Sequence, residues 1–333
     1  MKEYASGEWQ PTAALEVLKL RAQLLERIRA FFSKRGVLEV ETPILSTSGT
    51  PDPALASLAT RYTGPLYPHG QTFYLQTSPE FPMKRLLASG IGSIYQICKV
   101  FRDGESGRLH NPEFTMVEWY RVGLDHVQLM HEVEALVGEL LAGHVALAET
   151  EWLSYHEVFA RHTGLEPHTA TAEDFERVAR EHEIHLPAGP KPHHDVAIWR
   201  DLLLTHLIEP RLGQGRLTFV YDYPASQAAL AQVRPGNPPL AERFELYLNG
   251  IEMANGFHEL ADSAEQRMRF ERQQHARSTT ALPPVPRDER LLAALAHGLP
   301  DCSGVALGFD RLVMLAAGVR SISEAVAFPL DRA

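Results

Sequence analysis

The sequence feature that most constrains the fold is the pair Asn249-Gly250, which stands between two runs of alternating apolar and polar residues. An Asn-Gly pair is the strongest short-range signal for a two-residue β-hairpin, because a type I′ turn needs positive φ at both central positions. The flanking runs, ERFELYL and IEMANGF, are therefore predicted to pair as antiparallel strands. With these two residues at the turn, Tyr247 is expected opposite Glu252.

The same register brings two carboxylates together. Glu245 is expected opposite Ala254, so Glu245 and Glu252 become diagonal neighbours on one face, about 7 Å apart. Two carboxylates on one face repel each other unless a cation compensates them, and Mg²⁺ with phosphate oxygens would do so. The alternative is a solvated face that carries two unrelated glutamates.

Further strands and helices are predicted around this hairpin. Apolar residues recur every three or four positions from Thr12 to Lys34, which predicts a helix that Thr12 caps and Gly36 ends. A short strand follows and ends at Pro43. Other strands are predicted at residues 73–77, 93–101, 113–122, 217–224 and 305–307, and other helices from Ser78 and at residues 264–280 and 310–317.

The order of these elements indicates the fold class. Clustered strands with short turns, flanked and interrupted by helices, predict an α+β fold with a mainly antiparallel sheet rather than alternating βαβ units. Residues from about 125 to 212 alternate helical patterns with Pro, Gly and His breaks, which predicts a mostly helical insertion. The chain of 333 residues is expected to form a single domain, residues 1–333.

A polar loop between two predicted strands carries the first candidate ligand groups. The segment FRDGESGRLHNPEF holds Arg102, Arg108, His110 and Asn111. Cationic and amide side chains on such a loop could clamp the phosphates and base of a nucleotide. The alternative is a cluster of His and Arg that is merely exposed.

The last predicted helix carries a second candidate. Asp310 fits its N-cap, but Arg311 then falls in the first turn, where the helix dipole disfavours a cation. An anion in front of the helix, bound by the backbone amides and the guanidinium together, would explain the arginine. The alternative is an ordinary surface arginine.

A third candidate is Glu118, which lies on a predicted strand. It shares one face with Phe114, Met116 and Tyr120, so its carboxylate is surrounded by large apolar side chains. This pattern favours an inward, functional carboxylate over a solvated one.

Motif searches and composition exclude several classes of protein. No Walker-type phosphate loop, dinucleotide-binding GxGxxG, GxSxG or HExxH motif is present. The spacing of Cys98 and Cys302 supports neither a disulfide nor a zinc site, and His193-His194 is expected in a surface loop.

The net charge of −10 opposes nucleic-acid binding and favours a small cationic substrate. Without a leader or an 18-residue apolar run, a cytoplasmic location is expected.

In order and spacing, these segments resemble the three signature motifs of the class II aminoacyl-tRNA synthetases. The first helix and strand, up to Pro43, resemble motif 1, which implies a homodimer through this region. The segment from Arg102 to Phe114 resembles motif 2, whose arginine contacts the α-phosphate of ATP. Gly308-Phe309-Asp310-Arg311 resembles motif 3, whose arginine holds the terminal phosphate. The resemblance makes Arg102 and Arg311 the catalytic residues.

Within this class, HNPEFTMVEWY, RFELYLNGIE and NGFHEL are similar to lysyl-tRNA synthetases, which implies Mg²⁺ on Glu245 and Glu252. Where the motif 2 glutamate is expected this chain has Gly104, which leaves Glu105 or Asp103 to replace it. The implied ATP-binding residues are Arg102, Asp103, Gly104, Glu105, His110, Phe114, Glu245, Leu246, Gly308 and Arg311. The implied amino-acid-binding residues are Ser78, Pro79, Glu80, Asn111, Glu118, Tyr120, Glu252, Asn255, Phe257 and Glu259.

The anticodon-binding domain of lysyl-tRNA synthetases is not expected here, because motif 1 occupies most of the segment before Pro43. Over nearly its whole length, including PDCSGVALGFDRLVML with Ala306, the chain resembles the bacterial ligases that modify elongation factor P. The resemblance implies ATP-dependent activation of (R)-β-lysine, or lysine, and its transfer to the ε-amino group of a lysine on elongation factor P. Neither tRNA nor a membrane is expected as a partner.

Three other functions remain open from the sequence. A truncated lysyl-tRNA synthetase would form an ester on tRNA instead of an amide on a protein. An ammonia-using amide synthetase of the same fold would need a basic pocket for its aspartate, whereas this pocket is acidic. A silent regulatory paralogue would have no reason to keep the phosphate and metal residues Arg102, Glu245, Glu252 and Arg311.

Overall fold

A computed structural model of the chain describes residues 9–185, 195–279 and 282–333. The chain forms two compact units. Unit 1 comprises Met1–Leu124, Ala135–Val145 and Leu260–Ala333, and unit 2 comprises Asp125–Glu134 and Ala146–Glu259. The predicted surface loop at His193-His194 lies outside the described residues.

The regular elements of the described residues follow in chain order. The strands are β1 (Leu38–Glu39), β2 (Leu45–Ser46), β3 (Ala59–Tyr62), β4 (Gln71–Leu75), β5 (Ile94–Phe101), β6 (Glu113–Val122), β7 (Glu151–Ser154), β8 (Thr218–Pro224), β9 (Val233–Arg234), β10 (Leu240–Leu248), β11 (Ile251–His258) and β12 (Cys302–Gly308). The α-helices are α1 (Leu15–Lys34), α2 (Glu80–Ala88), α3 (His126–Leu141), α4 (Tyr155–Thr163), α5 (Ala172–Glu181), α6 (Val196–Leu203), α7 (Ser263–Thr279), α8 (Glu289–Gly298) and α9 (Phe309–Ala317).

Unit 1 is built on four strands in the order β1-β5-β6-β12. Strand β1 runs parallel to β5, whereas β5 with β6 and β6 with β12 are antiparallel. A smaller antiparallel sheet has the order β2-β4-β3. The predicted hairpin of β5 and β6, with its polar loop between them, is confirmed, and β6 has the predicted bounds.

Helix α1 buries its apolar face in unit 1. Phe32 is fully buried, and its ring stacks on Tyr95 at 4.4 Å and meets Trp119 edge-on at 5.3 Å. The prediction that Thr12 caps the helix is wrong, because Ala14 is the N-cap and has no side-chain cap bond. The Thr12 hydroxyl instead donates to the backbone of the C-terminal segment, at 3.2 Å from the carbonyl oxygen of Val326.

Two other predicted helix starts also differ from the structure. Helix α2 begins at Glu80, and the Ser78 hydroxyl accepts a hydrogen bond from the Glu80 amide at 3.0 Å. Helix α9 has Gly308 as N-cap, so the prediction of Asp310 as N-cap is wrong. The Asp310 carboxylate is not available for capping, since it accepts from the backbone amide of Thr115 at 2.8 Å.

Unit 2 contains the predicted hairpin at Asn249-Gly250. Strands β10 and β11 are antiparallel, and Asn249 and Gly250 have φ of 52° and 73°, as the predicted turn requires. Strand β10 also pairs antiparallel with β8 and β9, and β7 runs parallel to β8. Together with unit 1, these pairings confirm an α+β fold with mainly antiparallel strands.

The hairpin register holds only next to the turn. Tyr247 faces Glu252 as predicted, but the register shifts between Leu246 and Tyr247, so Glu245 faces Asn255. The prediction that Glu245 faces Ala254 is therefore wrong. The reason is a β-bulge, in which one strand has an extra residue that the other cannot pair.

Helices α4, α5 and α6 share one apolar core with β7, β8 and β10 in unit 2. Phe159 of α4 and Phe175 of α5 are fully buried and meet edge-on, with ring centroids 6.1 Å apart. Capping boxes begin two of these helices, with Ser154 as the N-cap of α4 and Thr171 as the N-cap of α5. No helix among residues 9–185, 195–279 and 282–333 is both long and apolar enough to span a bilayer.

The turn before β8 yields a prediction on stability. Gly213 has φ of +68°, and a Cβ there would lie 2.7 Å from both the Leu248 Cα and the Tyr247 carbonyl oxygen. Gly215 has φ of +65°, but a Cβ there would have no neighbour within 4 Å. We expect Gly215→Ala to cost about 1–2 kcal/mol, because an L-residue is strained at positive φ. Gly213→Ala should cost about 1–3 kcal/mol more, because backbone atoms must move.

Urea titrations of the two variants measure this difference in the free energy of unfolding. Equal losses for Gly213→Ala and Gly215→Ala would contradict the close backbone contact at Gly213.

Candidate active site

The candidate functional groups of unit 1 include a buried carboxylate. Glu118 lies in β6, and 2% of its surface is exposed. The Ser78 hydroxyl donates to its Oε2 atom at 2.6 Å, and the Tyr120 hydroxyl donates to its Oε1 atom at 2.7 Å. These donors stabilise the ionised carboxylate without cancelling its charge. The structure thus brings together three residues that were predicted for the amino-acid site.

Helix α2 adds an ion pair that the sequence analysis did not identify. The Lys84 Nζ atom lies 2.6 Å from Oε1 of Glu80, and Lys84 is 1% exposed. Residues four apart are neighbours on one face of a helix, so this spacing could have revealed the pair. Glu80, predicted for the amino-acid site, therefore faces a lysine of its own helix.

The thiol of Cys98 on β5 is influenced by Glu118. Burial, followed by the negative charge of Glu118, raises the pKa of this thiol to about 12. A thiol with this pKa stays protonated at neutral pH, whereas the thiolate is the reactive form. Cys98 is therefore not a candidate nucleophile.

The loop between β5 and β6 positions Arg102. Its guanidinium carbon lies 5.2 Å from the centroid of the Phe114 ring, and its Nη1 atom lies 3.6 Å from Oε1 of Glu105. Its buried Nε atom has no hydrogen-bond partner among the described residues. The aromatic face and the carboxylate orient the guanidinium and leave a donor for a ligand. Of the acidic residues beside Gly104, Glu105 pairs with Arg102, whereas Asp103 is exposed.

Arg311 contacts the same loop from the first turn of α9. Its Nη2 atom lies 2.8 Å from Nε2 of His110, and its Nε atom donates to the Leu109 carbonyl oxygen at 3.4 Å. Burial, and then the charge of Arg311, lowers the pKa of His110. The ring is therefore neutral at pH 7 and can accept a hydrogen bond from the guanidinium. The structure thus brings together His110 and Arg311, which were both predicted for the ATP site.

Asp310 holds the start of α9 in place through contacts that sequence reasoning missed. The carboxylate is 2% exposed, and it forms an ion pair with Arg21 of α1. Arg21 also donates to the Thr115 hydroxyl at 2.7 Å. Arg21 and Asp310 are 289 positions apart, and no local sequence pattern relates them. These contacts fix the helix turn on which Arg311 lies.

The side-chain amide of Asn111 forms hydrogen bonds within the fold. Its Nδ2 atom donates to the Glu113 carbonyl oxygen at 2.6 Å, and its Oδ1 atom accepts from the Leu330 amide at 3.1 Å. Both ends of the amide therefore have partners within the fold. The predicted contact of Asn111 with the amino acid stays a prediction.

Unit 2 has a buried carboxylate of its own, Glu245, which is 6% exposed. Its Oε2 atom accepts hydrogen bonds from the hydroxyls of Tyr223, at 2.6 Å, and Tyr247. Its Oε1 atom accepts from Arg243 and, at 3.4 Å, from Nδ2 of Asn255. Burial, and then the charge of Glu245, raises the pKa values of both tyrosines. Both hydroxyls thus stay protonated as donors.

Arg243 is a residue that the sequence analysis missed. Its guanidinium lies 4.6 Å from the Tyr223 ring centroid and 5.9 Å from that of Phe257. Burial lowers its pKa, but the combined effects of Glu245, Tyr223 and Glu252 raise it more, so the pKa is raised overall. Arg243, Glu245 and Tyr247 alternate along β10, so the period of the strand could have shown that they share a face.

The donor chemistry of this face fits Mg²⁺, which takes one or two carboxylates together with phosphate oxygens. Glu252 faces Tyr247 and therefore shares a face with Glu245. The Oε2 atom of Glu245 already accepts two hydrogen bonds, which fill its two lone pairs. Glu252 could therefore bind an ion, whereas the Oε1 atom of Glu245 would first have to release Arg243 or Asn255. The buried Oδ1 atom of Asn255 accepts no hydrogen bond from the described residues, so it is a further acceptor.

The predicted site residues divide between the two units as follows. Unit 1 contains Ser78, Pro79, Glu80, Arg102, Asp103, Gly104, Glu105, His110, Asn111, Phe114, Glu118, Tyr120, Gly308 and Arg311. Unit 2 contains Glu245, Leu246, Glu252, Asn255, Phe257 and Glu259. Leu246 is fully buried, and Glu259, next to the end of β11, is 2% exposed.

Curated proteins that are similar to this chain match it over its whole length. It is 48% identical to "Elongation factor P--(R)-beta-lysine ligase" of Edwardsiella ictaluri over 333 residues, which cover 100% of both chains. It is 48% identical to the Klebsiella pneumoniae protein of that name over 328 residues, 98% of this chain and 99% of the other. A Salmonella paratyphi B protein of the same name is 47% identical over the same shares.

A comparison with models of protein families also finds a match over nearly the whole chain. The model of "tRNA synthetases class II (D, K and N)" matches residues 7–332, which is nearly the whole chain. The segments compared with motifs 1, 2 and 3 all lie inside this range. The chain therefore belongs to the class II tRNA synthetase family that comprises the D, K and N types.

Proposed function

We propose that this protein is an ATP-dependent, AMP-forming ligase that activates (R)-β-lysine, or lysine, and transfers it to a lysine side chain of elongation factor P. The observation that supports it most is the full-length similarity, at 48% identity, to proteins named as elongation factor P (R)-β-lysine ligases. The buried carboxylate of Glu118, held by two hydroxyls, suits a substrate that carries ammonium groups.

The first step of the proposed reaction forms an adenylate. A carboxylate oxygen of the amino acid attacks the α-phosphorus of ATP, the bond to the bridging oxygen breaks, and pyrophosphate leaves. Negative charge develops on the phosphate oxygens, and preorganised cationic donors stabilise it. Arg102 has a donor that is not used within the fold, and Arg311 is held by His110, so both can act as such donors.

The second step forms an amide. The ε-amino nitrogen of a lysine on elongation factor P attacks the acyl carbon, and the bond to the AMP oxygen breaks. AMP leaves with the bonding electrons, and the amine nitrogen loses a proton to solvent. The protonated thiol of Cys98 is consistent with this route, which has no covalent enzyme intermediate.

The amino-acid side of the proposed site is acidic. A substrate with two ammonium groups requires carboxylates, and we assign this role to Glu118 with Ser78, Glu80 and Tyr120. Of the residues of β11 and its end, Asn255, Phe257 and Glu259 are also assigned to amino-acid binding. Asn111 stays assigned to the amino-acid site, and its amide groups also bind the loop and the C-terminal segment.

Mg²⁺ is part of the proposal. Glu252 and the Oε1 edge of Glu245 would hold the ion, and Arg243 neutralises Glu245 when no ion is bound. When it is bound, the ion supplies positive charge that offsets the charge of the ATP phosphates.

A homodimer through motif 1 is also proposed. Large apolar side chains are exposed in this segment of unit 1, including Leu15 at 60% and Leu38 at 51%. An exposed apolar patch is typical of a surface that another protein chain covers.

Since the relatives are bacterial proteins, we propose that the enzyme works in the cytoplasm, on a partner of the translation machinery.

The identity of the labelled product tests the proposal. The purified protein is incubated with Mg-ATP, radiolabelled (R)-β-lysine or lysine, and either elongation factor P or total tRNA. We expect label on elongation factor P that survives mild alkali, because an amide is stable where an ester is not. Alkali-labile label on tRNA would show a lysyl-tRNA synthetase instead, and no adenylate at all would indicate a silent paralogue.

Arg311 can be tested apart from the acceptor. We expect Arg311→Ala to lower ATP–pyrophosphate exchange by about 10²- to 10³-fold, as removal of one charge-stabilising donor does in other enzymes. The free energy of unfolding should change little, because the ion pair of Asp310 holds the helix. Arg320→Ala, which changes an exposed arginine just after α9, is the control and should exchange normally. Normal exchange by Arg311→Ala would refute its assigned role.

Glu118 can be tested through the amino acid. We expect Glu118→Gln to raise the KM for the amino acid about 10- to 100-fold, which corresponds to the loss of one charge-assisted hydrogen bond. The KM for ATP should not change. Glu139→Gln alters an exposed glutamate of α3 and serves as the control. An unchanged KM for the amino acid in Glu118→Gln would exclude this carboxylate from the pocket.

A further inference from the structure

Unit 2 contains a cluster of two histidines and a glutamate that the proposed reaction does not use. His126 begins α3, Glu242 lies on β10, and His258 ends β11. One ligand atom from each of the three side chains lies within 4.8 Å of the others. The Nδ1 atom of His258 is 2.6 Å from Oε2 of Glu242, and the two imidazole rings stack with centroids 6.4 Å apart.

The buried imidazole of His126 is incompletely hydrogen-bonded by the described residues. The residue is 4% exposed, and its buried Nδ1 atom has no hydrogen-bond partner among the described residues. A buried polar atom without a partner costs about 1–3 kcal/mol, so such atoms usually indicate a missing water or ion. The other ring nitrogen, Nε2, lies 3.9 Å from Oδ1 of Asp222. A bound ion would supply the second partner that this ring lacks.

The carboxylates near the cluster are oriented by an arginine outside it. Arg234 approaches Oδ2 of Asp222 at 2.9 Å and Oε1 of Glu242 at 3.5 Å. The remaining oxygen of each carboxylate, Oδ1 of Asp222 and Oε2 of Glu242, is the one that faces a histidine. An arrangement in which outer groups orient the inner ligands is typical of metal sites.

The protonation state of His126 also suits a ligand. Burial lowers its pKa, although Glu242 and Asp222 act in the opposite direction. The ring is therefore neutral at pH 7, which is the form that binds metal ions.

We propose that His126, Glu242 and His258 bind a transition-metal ion of the Zn²⁺ type. Two imidazole nitrogens with one carboxylate oxygen suit Zn²⁺ and its neighbours, whereas Mg²⁺ and Ca²⁺ prefer oxygen ligands alone. Zinc–ligand bonds of about 2.0–2.2 Å place tetrahedral ligands about 3.3 Å apart, so small side-chain rotations from the present separations suffice. Water completes the coordination.

The proposed site is separate from the substrate-binding face of β11. Successive residues of a strand point to opposite faces, so His258 points away from the side of Phe257 and Glu259. The ion would join the start of α3 to β10 and β11 and so hold the end of the strand that carries these two residues. We therefore assign it a structural role.

The test measures metal binding directly. The protein is stripped with a chelator, dialysed against Zn²⁺ with excess Mg²⁺ present to fill oxygen-only sites, and analysed for zinc by mass spectrometry. We expect one tightly bound zinc ion per chain and a higher thermal midpoint than the stripped protein. Co²⁺ in place of Zn²⁺ should give the visible absorption of a site with nitrogen and oxygen ligands.

Variants distinguish this site from other histidines. His126→Asn should lower the zinc affinity at least tenfold, and Glu242→Gln should do the same if His126→Asn does not fold. His131→Asn changes an exposed histidine on the same helix, and a double change of His193 and His194 to Asn tests the adjacent pair in the sequence. Both controls should bind zinc normally. Absence of tight zinc binding, or tight binding that survives both His126→Asn and Glu242→Gln, would overturn the proposal.

Discussion

The burial of carboxylates is the constraint on which the rest of this structure depends. A carboxylate removed from water costs several kcal/mol unless charged or hydrogen-bonding partners compensate it. Glu118, Glu245 and Asp310 are each at most 6% exposed, and each accepts hydrogen bonds at both oxygens. The donors come from separate segments of the chain, so the carboxylates can be buried only when those segments have packed correctly. The folding of each unit and the assembly of its functional groups are therefore one process.

Local patterns were enough to predict much of this arrangement. The Asn249-Gly250 turn and the bounds of β6 follow from short-range rules, and the inward orientation of Glu118 follows from alternation along one strand. The motifs added the family, because their order along the chain is specific even where each alone is weak. What these predictions share is that every one depends on residues that are close in sequence.

The features that could not be predicted depend on distant segments. Thr12 is a good capping residue, but its hydroxyl donates to the backbone at Val326, and no local rule weighs that competing partner. The ion pair of Arg21 with Asp310 and the grouping of His126, Glu242 and His258 are also brought about by the tertiary fold. Lys84 and Arg243 differ from these, since helical spacing and strand alternation would have identified both.

The β-bulge in the hairpin of unit 2 has a consequence for where a side chain can act. Strand β11 changes phase at this point, so that Glu252 before the bulge and Asn255 after it point to the same side, toward Glu245. In a regular strand, residues an odd number of positions apart would project in opposite directions. If the same residues paired without the bulge, Asn255 would turn away from Glu252 and Glu245, although every side chain would be chemically intact. In this hairpin, the pairing register thus decides which side chains meet as much as their identity does.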